Sequence, residues 1–189
     1  MKAIFTILIG LAISQSILAQ ESPLPKDQLF VQLNDGTVRT FQSLKMVTGI
    51  MMSPHLVGDG KVIINGNDIK AYRDNEHFAV SQKTFASGRK TYLALEVLPG
   101  FVQRIAVGKL TVYAKQSFNG YRKVDEFFVQ NGADAPITPC SPAMMNELVK
   151  DDPQALKALN NSDRSISLIR KMQNAAEIIN NNSSLVSKY

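Results

Sequence analysis

The chain has 189 residues, a formal charge of +5, 44% apolar and 20% charged residues, which excludes a disordered or collagen-like polymer. Its single cysteine, Cys140, excludes a disulfide within the chain, so the fold must rest on a packed core. Lys2, the apolar run Ala3 to Ile13 and a short stretch ending in the small residue Ala19 read as a secretory signal peptide over residues 1–19. That run of 11 residues falls short of the roughly 20 that a membrane-spanning helix needs, and no later segment is longer. Removal of the signal leaves 170 residues with a charge of +4. No cysteine stands at the mature N-terminus directly after the signal, so a lipid anchor is not expected. The location expected is the periplasm or the exterior.

Composition switches near residue 135. Of the 13 aromatic residues beyond the signal, 12 lie between Phe30 and Phe128, and every later glycine lies between Gly36 and Gly132. Aromatic residues with glycine favour strands and tight turns; the Ala, Leu, Met, Asn and Lys that follow favour helices. This predicts a β domain over 20–140, a helical segment over 141–182 and a frayed tail over 183–189.

Period-2 alternation places strands at Leu29 to Leu33 and Val38 to Ser43, around the turn Asn34-Asp35-Gly36-Thr37. Lys61 to Ile64 and Ile69 to Arg73 flank Asn65-Gly66-Asn67-Asp68, read as a hairpin turn. Gly49 to Pro54, with Met51 and Met52, reads as a short buried strand, the rival reading being an adaptable contact loop. His77 to Gln82 is another strand. Thr91 to Val97 and Phe101 to Val107 flank Pro99-Gly100, and Lys109 to Phe118 and Tyr121 to Gln130 flank Asn119-Gly120. Asn-Gly is the clearest hairpin signal, because a type I′ turn needs two residues that tolerate positive φ. About eight strands with such short connections must be antiparallel. The fold class predicted is α+β: an antiparallel sheet, sandwich or partly open barrel with C-terminal helices packed on it. Ser141-Pro142 and Asp152-Pro153 are helix starts, and Asp163 reads as the cap of a longer helix. In that helix Leu168, Ile169, Met172, Ala175, Ala176 and Ile179 form an apolar stripe that must bury against the sheet.

Chemistry is sparse. His55 and His77 lie at no metal-ligand spacing, so neither a metal nor a cofactor is expected. Phosphate-binding and nucleophile-elbow motifs are absent. Asp125 and Glu126 point apart if they lie on a strand. Cys140, beside Pro139 and Pro142, reads as a small buried hydrophobe rather than a nucleophile or an intermolecular link. One pattern is not random: residues 83–123 carry eight basic side chains against the single acid Glu96, while residues 124–140 carry three acids and no base. Lys109, Tyr113 and Lys115 share one strand face, and Arg104 on the neighbouring strand can join them. These four are the candidate ligand-binding residues, either a solvated face or a surface for an anionic polymer or lipid head groups. No nucleic-acid motif accompanies them. The leading expectation is a non-enzymatic exported binding or envelope-interaction protein, using that face or a protein contact near Met51–Met52. The rival is a hydrolase or other enzyme whose site is scattered along the chain.

The turn Leu33-Asn34-Asp35-Gly36-Thr37, the stretch Ala71-Tyr72-Arg73 with Glu76-His77-Phe78-Ala79-Val80, and Val107-Gly108-Lys109-Leu110-Thr111-Val112-Tyr113 resemble a group of exported proteins of Gram-negative bacteria. Cys140 and Pro142 ahead of a helical tail are similar too. The resemblance covers nearly the whole mature chain through short structural motifs, and it implies a β domain with a C-terminal helix and no established activity. Members of that group often have a second cysteine near the C-terminus. This sequence has none, so no disulfide tie of the tail follows.

Overall fold

Two structural layers are stacked on one face of a large antiparallel sheet. The computed structural model describes residues 24, 27–49, 52–85, 93–94, 96–118 and 120–186; the signal peptide over 1–19 lies outside them. Strands β1 (Leu29–Leu33), β2 (Val38–Phe41), β6 (Ile69–Arg73), β7 (Phe78–Ser81), β9 (Phe101–Ala106), β10 (Leu110–Phe118), β11 (Lys123–Asn131) and β12 (Thr138–Cys140) form the large sheet. Its order is β12-β11-β10-β9-β7-β6-β1-β2, with the two-residue β8 (Leu93–Ala94) paired to the end of β10. Strands β3 (Leu44–Gly49), β4 (Met52–Gly58) and β5 (Val62–Asn65) make a separate three-stranded sheet. The helices α1 (Pro142–Val149), α2 (Pro153–Leu159) and α3 (Leu168–Val186) follow. The class is α+β with an open, two-layered arrangement, as the composition switch requires.

The inner face of the large sheet is divided between two cores. Helices cover one half: Met145, Val149, Ala155, Leu159, Met172, Ala175 and Ala176 pack on Leu110, Val112, Ala114, Phe127, Val129 and Cys140. The apolar stripe of α3 thus lies against the sheet through Met172, Ala175 and Ala176, each at 0% exposure, whereas Leu168, expected in the same stripe, is exposed. The small sheet covers the other half, laying Leu44, Leu56 and Ile64 on Val31, Ile69, Tyr72, Ala79 and Phe101. Tyr72 is fully buried there, and its hydroxyl accepts the Leu98 N–H at 3.0 Å, which supplies the partner a buried phenol needs. Burial raises its pKa far above the ordinary value.

Two glycines set how closely the layers approach. A Cβ on Gly58 would lie 2.3 Å from the Phe41 ring, so only glycine lets β4 dock at the end of β2. A Cβ on Gly108 would lie 2.4 Å from the Asn180 side chain. Asn180 there imitates a strand, accepting the Leu110 N–H at 2.8 Å and donating to the Leu110 carbonyl at 2.9 Å. Helix α3 is therefore pinned to the β9–β10 turn by the otherwise unpaired backbone at the start of β10.

Several expectations are corrected. Asn65 to Asp68 is no hairpin turn: Gly66–Asp68 form a 3-10 turn carrying the chain from the small sheet to the large one. Alternation cannot show which neighbour a strand chooses. Gly49 to Pro54 is not a buried strand: Met52 at the start of β4 is 56% exposed, and Ile50 and Met51 lie outside the described residues. Among the described residues of the expected strand Thr91 to Val97, Leu93–Ala94 form β8, which pairs with β10 and not with β9. Asp163 does not cap α3; its carboxylate holds the Ser165 N–H, and Ser167 accepts from Arg170 at the true start. The helix runs on through residues 183–186, although the polar run Asn180-Asn181-Asn182-Ser183-Ser184 had suggested a frayed tail, and Asn180 ties it to Leu110; residues 187–189 lie outside the described ones.

Candidate functional site

The outer face of the large sheet carries the basic residues, but not as an open basic surface. Thr40 on β2, Phe30 on β1, Arg73 on β6 and Phe78 on β7 are successive cross-strand partners. Arg104 on β9, Tyr113 on β10, Phe128 on β11 and Pro139 on β12 are partners in turn. Directly opposed residues share a face. The two halves meet at Phe78, where the Arg104 guanidinium carbon stands 3.7 Å from the ring centroid and that of Arg73 5.5 Å from it. One row of alternating aromatic rings and guanidinium groups therefore crosses the sheet. Planar, weakly hydrated guanidinium groups tolerate such stacking, and each cation–π contact contributes about 0.5–2 kcal/mol as water is excluded.

The four candidate residues of the sequence occupy different settings. Arg104 and Tyr113 belong to the row. Tyr113 is buried, and its hydroxyl donates to Gln130 Oε1 at 3.0 Å. Lys115 shares their face but is only 3% exposed, donating to Gln82 Oε1 at 2.9 Å and standing 3.5 Å from Glu126. It is a buried structural cation, not part of an exposed basic surface. Lys109 lies apart in the β9–β10 turn, exposed beside a separate hollow of about 350 Å³ that includes Asp152 and Asn182. Cys140 is buried, and loss of solvent pushes its thiol up to about 11, as befits an inert core residue. Asp125 and Glu126 face opposite ways, toward Gln116 and Lys115 respectively.

Residues that sequence reasoning passed over complete the site. Arg73 lies outside the basic segment and Phe78 carries no charge, so neither stands out as a site residue in the sequence; register brings them to Arg104. Beside them, at the end of the sheet, lies a hollow of about 370 Å³ bounded by the β6–β7 turn, the end of β9 and Glu177 of α3. Asp74 shapes that turn, its Oδ1 accepting the N–H groups of Glu76 and His77 at 2.9 and 2.7 Å. Among the described residues neither Arg73 nor Arg104 meets a carboxylate in an ion pair, and the buried Arg73 Nε has no hydrogen-bond partner. Burial lowers the Arg104 pKa, Tyr113 opposes the shift and the like charge of Arg73 adds to it. Both guanidinium groups thus border the hollow without a salt-bridge partner among the described residues, and the carboxylates of Asp74, Glu76 and Glu177 line it too. The hollow's lining has no hydroxyl or thiol that could act as a nucleophile.

Among the described residues no group of three or more His, Cys, Asp or Glu could hold a metal ion. No family model matches the chain, and neither a curated protein nor a solved structure matches it.

Proposed function

We propose that this is a non-enzymatic exported binding protein that captures an anionic group on Arg73 and Arg104. The observation that carries the reading is the pair of guanidinium groups flanking Phe78 at a hollow, unpaired by any described carboxylate. Arg73 Nε is buried without a hydrogen-bond partner, so the terminal nitrogens of Arg73, with those of Arg104, are the donors that meet the anion. Export is supported by the signal-like N-terminus, and the resemblance to exported proteins of Gram-negative bacteria agrees with it.

The test is a titration of the mature chain with N-acetylglycine and inorganic phosphate, followed by backbone amide shifts in the β6–β7 turn and β9. Shifts that saturate, weaken as salt rises and vanish in the Arg73→Gln/Arg104→Gln double variant are expected. Shifts absent from both segments at saturating probe sink the proposal.

A further inference from the structure

The hollow beside Arg73 and Arg104 has a second wall of opposite charge. Asp74, Glu76 and Glu177 line it together with the two arginines and Phe78, yet no ion pair joins the two sets. Both signs of charge therefore line the hollow without a salt bridge between them. Asp74 is committed to the turn through its two backbone hydrogen bonds. Glu177 is steadied by Gln173, whose amide donates to its Oε1 at 2.8 Å, and its second oxygen is left for another donor. The volume of about 370 Å³ exceeds what a bare inorganic anion fills and falls at the small end of organic-ligand sites.

We propose that the ligand is a free α-amino acid, its carboxylate held by Arg73 and Arg104 and its ammonium by Glu177. This rests on the two guanidinium groups being an anion site, and it adds that a simple anion is the wrong occupant. A multiply charged anion such as phosphate meets the carboxylate wall and is disfavoured by it, whereas a zwitterion satisfies both walls at once.

Calorimetry on the mature chain with the common α-amino acids decides it, followed by the N-acetyl and C-amide forms of the best binder and by inorganic phosphate. The expected result is that both blocked forms bind about tenfold or more weakly than the free amino acid, the loss of one charge contact. Glu177→Gln, at an exposed helical position where folding is not at risk, should weaken the free amino acid by a similar factor and leave the N-acetyl form unchanged. If the N-acetyl form or phosphate binds as tightly as the free amino acid, or if Glu177→Gln has no effect, the zwitterion proposal falls while the anion site stands. If no probe binds, both fall.

Discussion

The two faces of the large sheet solve the burial problem in different ways. The inner face is closed by helices and the small sheet over aliphatic and aromatic side chains. The outer face buries Phe30, Tyr113 and Phe128 to a similar depth, yet it sets Arg73, Arg104 and Lys115 among them. On the inner face stability comes from apolar area, about 25 cal/mol per Å² removed from water. On the outer face it depends on each charge finding a ring, an amide or a carboxylate. Charge can be buried on a sheet when aromatic rings separate like charges.

Breaking the inner face should have the largest effect. Met172→Asp places an unpartnered carboxylate at a position with 0% exposure, and a loss of about 4 kcal/mol or more in denaturant unfolding is expected. A loss below 1 kcal/mol would mean that α3 is not seated on the sheet.

The outer face should respond differently to two changes at one position. Lys115→Glu sets two carboxylates together and should cost about 3 kcal/mol. Replacing the pair, Lys115→Met with Glu126→Leu, should cost less, about 1–2 kcal/mol, because no charge is left stranded and only the buried Gln82 Oε1 loses its donor. Equal losses in the two variants would show that the ion pair itself, and not the avoidance of a lone charge, holds this face.

The tie between sheet and helix is smaller. Asn180→Ala strands the N–H and C=O of Leu110 and should cost about 1–3 kcal/mol. Gly108→Ala drives a Cβ into the same side chain, so the double variant should lose less than the sum of the singles. Strict additivity in thermal melts would show that the two residues act separately.

The smallest effect concerns pH. The folded Cys140 thiol is raised to about 11 from an ordinary value of 9.0, so the folded state holds its proton more tightly than the unfolded chain. The associated stability is complete below pH 9 and is lost as pH rises toward 11. A Cys140→Ala variant should show a shallower decline across that window, and Cys140 should resist thiol reagents at pH 8 until the protein unfolds. Rapid labelling of the native protein would contradict the burial.

How much was legible in the sequence follows from the range of the forces involved. The β1–β2 and β9–β10–β11 hairpins and the caps at Ser141 and Asp152 were readable, because turn chemistry and capping act over a few residues. The burial of the α3 stripe was readable too, since an apolar helical face has nowhere else to go. The crossover at Gly66–Asp68 and the pairing of β8 were not, because a strand's alternation does not name its partner. The candidate site shows the same division. Tyr113 and Lys115 do share a face of β10, but Lys109 lies outside the strand in the turn before it, and burial makes Lys115 an internal cation. Arg73 and Phe78 were invisible as site residues until the register of β6, β7 and β9 set them beside Arg104.

By itself the sequence determined the class of this protein: an antiparallel β region followed by helices whose apolar stripe must be covered, since composition, alternation and caps are local and physical. Tertiary structure alone decided that the strands divide into two sheets, that Lys115 is an internal cation, and that two arginines 31 residues apart in the chain flank one phenylalanine. Those outcomes depend on strand register and layer packing, which sum many weak contacts between distant segments and leave no signature in any one of them.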